Sequence, residues 1–174
     1  MIKYLITFIL LILFFSASAQ SQDSLPKVQY LIEGVGVIRS NLLAEVSKFD
    51  SAMVFTKASS IGDQPNLIGN DDFNGSLQLV GEDRKLLLVK WTFTFKDIKF
   101  NKTGITRMAQ FAFAMGRQSC VDWLVDKIRA VNKNQNQAFK ETKLFFYDFT
   151  KGEITYDPAT ITLILSFVPS KLPK

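Results

Sequence analysis

KLLLVKWTFTFKDIKF, from Lys85 to Phe100, is the stretch whose reading decides the fold. Leu87, Val89, Trp91, Phe93 and Phe95 fall on one parity, while Lys90, Thr92, Thr94 and Lys96 fall on the other. This period of two marks a half-buried strand. Five large apolar side chains on one face, at about 1.5–3 kcal/mol each when fully buried, can anchor a domain. After Lys96-Asp97 the phase changes, because Ile98 and Phe100 take the parity of Thr94. A one-residue bulge or a tight turn there would return them to the core.

Upstream, Ser76 to Val80 reads as a strand and Gly81-Glu82-Asp83 as a turn, which makes a hairpin with the aromatic strand. The Gly, Asn, Asp and Pro content of residues 59–75 predicts loops, with Asn66-Leu67-Ile68 pairing briefly with a sheet, and Met53 to Thr56 predicts a short strand. Ser40 is positioned to cap a helix in which Leu42, Leu43, Val46 and Phe49 recur at helical steps, ending near Asp50 or Ala52. Val28 to Val35 fits either period. Gly34 and Gly36, each costing a helix interior about 1 kcal/mol, favour a strand over 28–35.

Downstream, Ile105, Met108, Ala112, Met115, Leu124, Ile128 and Val131 define a helix over 105–131, broadened by Phe111, Phe113 and Trp123. Strand-like alternation returns at Leu144 to Phe149. A turn at Lys151-Gly152, a short strand Ile154 to Tyr156 and a turn at Asp157-Pro158 follow. A last strand has Ile161, Leu163, Leu165 and Phe167 on one face and stops at Pro169. The expected fold is α+β, a mostly antiparallel sheet with two principal helices packed on it, in a single domain spanning 28–170.

Met1 to Ala19 carries the marks of an export signal: Lys3, an apolar run from Tyr4 to Phe15, and Ala17-Ser18-Ala19 before Gln20. That run is shorter than the roughly 20 residues a spanning helix needs, so cleavage after Ala19 is expected, leaving no integral membrane segment. With no cysteine near the boundary, a lipoprotein is excluded, and the product is expected in a periplasm or outside the cell. Residues 20–27 read as a flexible lead. Loss of Lys3 lowers the formal charge from +5 to +4, scattered rather than clustered, which argues against nucleic acid as partner. One cysteine permits no intrachain disulfide, so stability must come from the apolar core.

The chain has no histidine, which excludes Ser-His-Asp and Cys-His catalysis and His-ligated zinc. It also lacks CxxC, a phosphate loop and a dinucleotide fingerprint; no cofactor and no metal site are expected. Asp71-Asp72 and Glu82-Asp83 read as solvated turn residues, and Asp122 with Asp126 as an exposed helical stripe beside Lys127 and Arg129. Asn70-Asp71-Asp72 with Asn74 falls short of a calcium loop. Cys120, with Arg117 one turn back, reads as a small core residue rather than a reactive thiol. Asn74-Gly75-Ser76 and Asn101-Lys102-Thr103 match the glycan acceptor pattern, which carries meaning only in a eukaryotic secretory route.

Two surfaces are candidates for binding. Met108, Phe111, Phe113 and Met115, with Trp91 beside them, could line a pocket for an apolar ligand; their helical spacing favours ordinary core over that use. Lys90, Lys96 and Lys99, with Thr92 and Thr94, could form a basic outer sheet face for an acidic partner, or a solvated face.

The strand ending at Gly34 and Gly36, the helix opened by Ser40-Asn41-Leu42-Leu43 with Val46 and Phe49, and the strand Leu87-Val89-Trp91-Phe93-Phe95 closed by Lys96-Asp97 carry a resemblance. Residues 28–100 resemble a bacterial secreted domain family of unknown function with a TATA-binding-protein-like fold. The helix 105–131 and the C-terminal strands depart from that pattern. The resemblance implies a fold and an exported location, and no activity or site residues.

The expected function is a non-enzymatic exported binding or interaction module for a protein or an apolar small molecule. The alternatives are a carboxylate-dependent hydrolase using residues among Asp71, Asp72, Asp122 and Asp126, and a structural envelope-associated subunit.

Overall fold

The computed structural model describes residues 33–95, 102–145 and 149–170. Along the chain come α1 (Arg39–Phe49), β1 (Val54–Ile61), β2 (Gln64–Asn70), β3 (Gly75–Glu82), β4 (Lys85–Thr94), α2 (Lys102–Lys133), β5 (Phe139–Phe145), β6 (Thr150–Asp157) and β7 (Thr162–Pro169). The strands form a seven-stranded antiparallel sheet in the order β1-β2-β3-β4-β7-β6-β5. The fold is α+β, with an antiparallel sheet and two helices. The expected export signal, the lead and the phase change at Lys96-Asp97 lie outside the described residues.

The aromatic strand β4 is central. Trp91 stands opposite Leu77 on β3 and Leu165 on β7, Val89 opposite Leu79 and Phe167, and Phe93 opposite Gly75 and Leu163. Apart from Gly75, which carries no side chain, all of these are fully buried hydrophobics. β7 is the last of the described strands, and its pairing with β4 joins the two arms of the sheet. Both arms of the sheet, β3-β2-β1 and β6-β5, hang from that central pair.

The parity of β4 holds from Val89 onward and fails before it. The register shifts between Val80 and Gly81: Val80 pairs with Leu88, but Gly81 pairs with Leu86. The extra residue is Leu87, so Leu86 is the fully buried side chain and Leu87, expected on the core face, is half-exposed. Gly81 adopts φ +120°, and a Cβ there would sit 2.3 Å from the Lys85 carbonyl oxygen. Only glycine fits this bulge.

Other elements depart from expectation. Residues 33–36 are a turn, with Gly34 at φ +63° and Gly36 at φ +78°, so the expected strand 28–35 does not extend to its final residues, and 28–32 lie outside the described region. Val35 is tied into the fold instead: its N–H donates to the Leu86 carbonyl at 2.8 Å, and its carbonyl accepts from the Thr150 hydroxyl at 3.1 Å. Residues 59–75 are not mainly loop. They contribute the end of β1, the turn at Gly62-Asp63, and all of β2. β1 is an edge strand with mostly exposed side chains, so it has little of the alternation that marks a half-buried strand.

The long helix is broken. Gly116 (φ −153°, ψ 15°) and Arg117 (φ 56°, ψ −157°) are non-helical and divide α2 into two helical stretches. The buried stripe restarts across the break, running Met108, Ala112 and Met115 before it and Cys120, Leu124, Ile128 and Val131 after it. Toward the C-terminus, the Asp157-Pro158 turn is present, with Asp157 accepting from the Ala159 N–H and the Thr160 hydroxyl, each at 2.9 Å. Lys151-Gly152 is not a turn but part of β6. Gly152 is there because a Cβ would lie 2.6 Å from the Phe145 ring. Ile161, expected to open the core face of the last strand, is 38% exposed at φ +51°, and that face begins at Leu163.

Candidate functional site

The five side chains considered for an apolar pocket do not share a surface. Trp91, Phe111 and Met115 are 0% exposed and Met108 is 1% exposed. The Phe111 ring lies 5.0 Å from Trp91 and 6.0 Å from Phe167, which fills the space between the first half of α2 and the sheet. Phe113 is half-buried on another side of the helix, with the Arg117 guanidinium 5.5 Å from its ring centre. Four of the five residues therefore act as packing that joins helix to sheet.

Among the carboxylates, the structure assembles a group that the sequence does not announce. Arg107, on the first half of α2, places Nη1 3.1 Å from Asp50 Oδ2 and 3.7 Å from Asp71 Oδ2. Asp50 follows the last residue of α1, and Asp71 follows the last residue of β2. Both carboxylate side chains are 0% exposed, and the Arg107 side chain is 14% exposed. Asp71 Oδ1 accepts from the backbone N–H of Phe73 at 2.8 Å and of Gly75 at 2.6 Å, and the Phe73 ring covers the guanidinium at 4.5 Å. Burial pushes the Asp50 carboxyl above its ordinary value, the neighbouring charges of Asp71 and Asp72 add to the rise, and Arg107 opposes it. With its oxygens sealed, this group acts as a clasp between α1, the β2–β3 turn and α2.

The remaining acidic candidates lie elsewhere. Asp122 accepts from Gln118 at 2.8 Å and Asp126 pairs with Arg129 at 3.2 Å, both on the exposed face of α2. Asp72 is exposed in the β2–β3 turn. Cys120 is fully buried, and burial pushes its thiol up to about 12. Among the described residues, no group of three or more acidic or cysteine side chains is placed to hold a metal ion. No described helix is long and apolar enough to cross a membrane.

What is presented outward is the second face of the sheet. The registers place Thr56, Ile68, Gln78, Lys90, Ser166, Glu153 and Thr142 in one row across all seven strands. A second row runs Asn70, Ser76, Thr92, Ile164, Thr155 and Lys140. Gln78, Lys90, Thr92, Thr94, Ile164 and Ser166 are half-exposed, in contrast to the buried Trp91 and Leu165 that point the opposite way. Lys90, Thr92 and Thr94 therefore do lie on an outer face, while Lys96 and Lys99 lie outside the described residues. Thr94 and Thr162 are linked hydroxyl to hydroxyl at 3.1 Å. Seven strands at about 4.8 Å spacing make this face roughly 29 Å wide. No family model, curated protein or solved structure matches the chain.

Proposed function

We propose that the protein is an exported, non-enzymatic binding module whose contact surface for a protein partner is the outer face of the sheet. The observation that carries this reading is the row Thr56 to Thr142, in which small hydroxylic, amide and charged side chains alternate with Ile68 and border Leu88, Ile164 and Val168. Such a mixture is the ordinary composition of a non-obligate protein interface. A face roughly 29 Å wide and about 20 Å deep is of the order of the ~800 Å² that each partner contributes to a standard interface. The absence of histidine from the sequence and the sealing of Asp50 and Asp71 support a binding role over a carboxylate hydrolase. The basic start, apolar run and small-residue pattern of residues 1–19 support the exported location in this reading.

Photo-crosslinking in producing cells tests it. A benzophenone side chain introduced at Lys90 or Ser166 is expected to give a discrete heavier adduct, and the same group at Asp126 on the exposed face of α2 is expected to give none. Equal labelling from both faces, or none from the sheet face, overturns the assignment.

A further inference from the structure

We propose that the outer sheet face takes an acidic protein surface, one in which two carboxylates about 12 Å apart flank an apolar side chain and meet Lys90 and Lys151. The inference rests on the reading of that face as the contact surface and names the partner's chemistry. Lys90 stands opposite Ser166 and Ser166 opposite Glu153, which lies two residues from Lys151 on the same face of β6. Two strand spacings across and two residues along put the Cα atoms of the two lysines about 12 Å apart. Both side chains are half-exposed, and among the described residues neither makes an ion pair.

The space between them is apolar. Leu88 lies two residues before Lys90 on the same face of β4, Val168 stands opposite Lys151, and both are half-exposed. The carboxylates that share or border the face are already engaged. Glu153 pairs with Lys140 at 2.9 Å, Asp157 accepts from the Ala159 N–H and the Thr160 hydroxyl, and Glu82 stands opposite Lys85 at the hairpin turn. Lys90 and Lys151 are therefore two cations without a counter-ion, set on either side of an apolar strip.

The amount of charge decides the occupant. An anionic membrane surface is held by clusters of about four to eight Lys and Arg, and nucleic acid by about six to ten phosphate contacts, so two lysines fall short of either. A second copy laid face to face would bring the same cations together. Two carboxylates on a protein match them in number. Exposed pairs of this kind set partner choice and association rate more than affinity, so burial of an apolar side chain against Leu88 and Val168 supplies the adhesion and the lysines select.

The test uses the full mature chain and a labelled peptide, Gly-Glu-Thr-Leu-Thr-Glu-Gly, which when extended places its glutamates about 13 Å apart on the side of its leucine. The peptide is expected to shift the amide resonances of residues 88–90, 151–153 and 166–168, with affinity falling at least threefold between about 0.05 and 0.5 M salt. Its analogue with lysine at both glutamates, and the original peptide with Lys90→Glu/Lys151→Glu, should each bind at least fivefold more weakly. Lys90→Arg/Lys151→Arg, and Arg129→Glu on α2, should leave binding unchanged. No shifts at millimolar peptide, equal binding of both peptides, salt-independent binding, or tighter binding of phosphatidylserine vesicles or a short DNA duplex would overturn the proposal. A benzophenone at Ser166 separates it from the reading it rests on. Its adduct in producing cells should fall at least fivefold with Lys90→Glu/Lys151→Glu. An unchanged adduct keeps the contact face and overturns the acidic partner, whereas no adduct even with both lysines in place removes the face and this inference with it.

Discussion

Arg107 Nη1 stands 3.1 Å from Asp50 Oδ2 and 3.7 Å from Asp71 Oδ2, so one guanidinium balances two fully buried carboxylates. Removing the cation leaves both charges in a low-dielectric setting, which typically costs about 3–5 kcal/mol. Arg107→Met is therefore expected to destabilise the fold by that order in urea titration at pH 7. The pH dependence has a definite sign. A carboxyl whose folded value is raised binds its proton more readily in the folded state, so stability falls as pH rises from the ordinary carboxylate value through the raised one. The loss in Arg107→Met should shrink on acidification through that window, and Asp50→Asn should flatten the slope there. A penalty independent of pH would contradict this account.

Asp83 serves α1 from another element. Its Oδ1 accepts from the Ser40 N–H at 2.8 Å, its Oδ2 contacts the Ser40 hydroxyl at 3.3 Å, and its backbone carbonyl accepts from the Arg39 N–H at 2.8 Å. The residue preceding the helix, Ile38, makes no side-chain cap. Asp83→Ala should cost about 1–2 kcal/mol, the value of a good cap, and Ser40→Ala clearly less. The reverse ranking in thermal melts would restore Ser40 as the cap.

The break in α2 is fixed by two residues for different reasons. A Cβ at Gly116 would meet the Cys120 Cβ at 2.5 Å and the Phe145 ring at 3.2 Å, so Gly116→Ala should destabilise by about 1–3 kcal/mol. Arg117 holds φ 56° with ψ −157°, a region that side chains rarely adopt and that costs about 1–3 kcal/mol. Arg117→Gly relieves that strain but removes the arginine's side-chain interactions, the contact with Phe113 among them, so its effect in chemical denaturation is expected to be smaller than that of Gly116→Ala. A loss on Arg117→Gly would mean that the arginine side chain contributes more than its backbone costs.

These positions show what the sequence could and could not disclose. The core face of β4 from Val89 to Phe95 was legible because strand alternation is a local property, and burial on one face enforces it. Leu87 departs from the expected parity because the bulge at Gly81 is created by pairing with a second strand. β1 shows little strand signal because an edge strand buries little and needs no apolar alternation, and β2, paired on both sides, resembles a loop because its Pro65, Asn66, Gly69 and Asn70 are residues typical of turns. Gly152 looked like a turn residue, yet its role is to make room for Phe145, a contact between neighbouring strands. The Arg107 clasp joins residues 50, 71 and 107, and no spacing in the sequence can signal a charge balance made across three elements.

Cys120 should be chemically silent in the native state. It is 0% exposed, burial pushes its thiol up to about 12, and the nearby Lys143 only partly opposes that rise. Ellman's reagent at pH 8 is expected to modify it only after denaturant is added, at the rate of unfolding. Rapid modification of the folded protein would show that the second half of α2 opens locally.

Phe111 touches Trp91 at 5.0 Å and Phe167 at 6.0 Å from a fully buried position, so it couples α2 to the two central strands at once. Truncation removes a large transfer free energy and leaves a cavity between rigid neighbours, and Phe111→Ala should cost about 3–5 kcal/mol. Phe113→Ala, on the half-buried side of the same helix, should cost much less. If the Met108, Phe111 and Met115 group were instead a ligand site, Phe111→Ala would lower affinity for a hydrophobic dye and leave the unfolding midpoint nearly unchanged. The packing predicts the opposite: a large fall in the midpoint, and dye binding that rises as the weakened core begins to open.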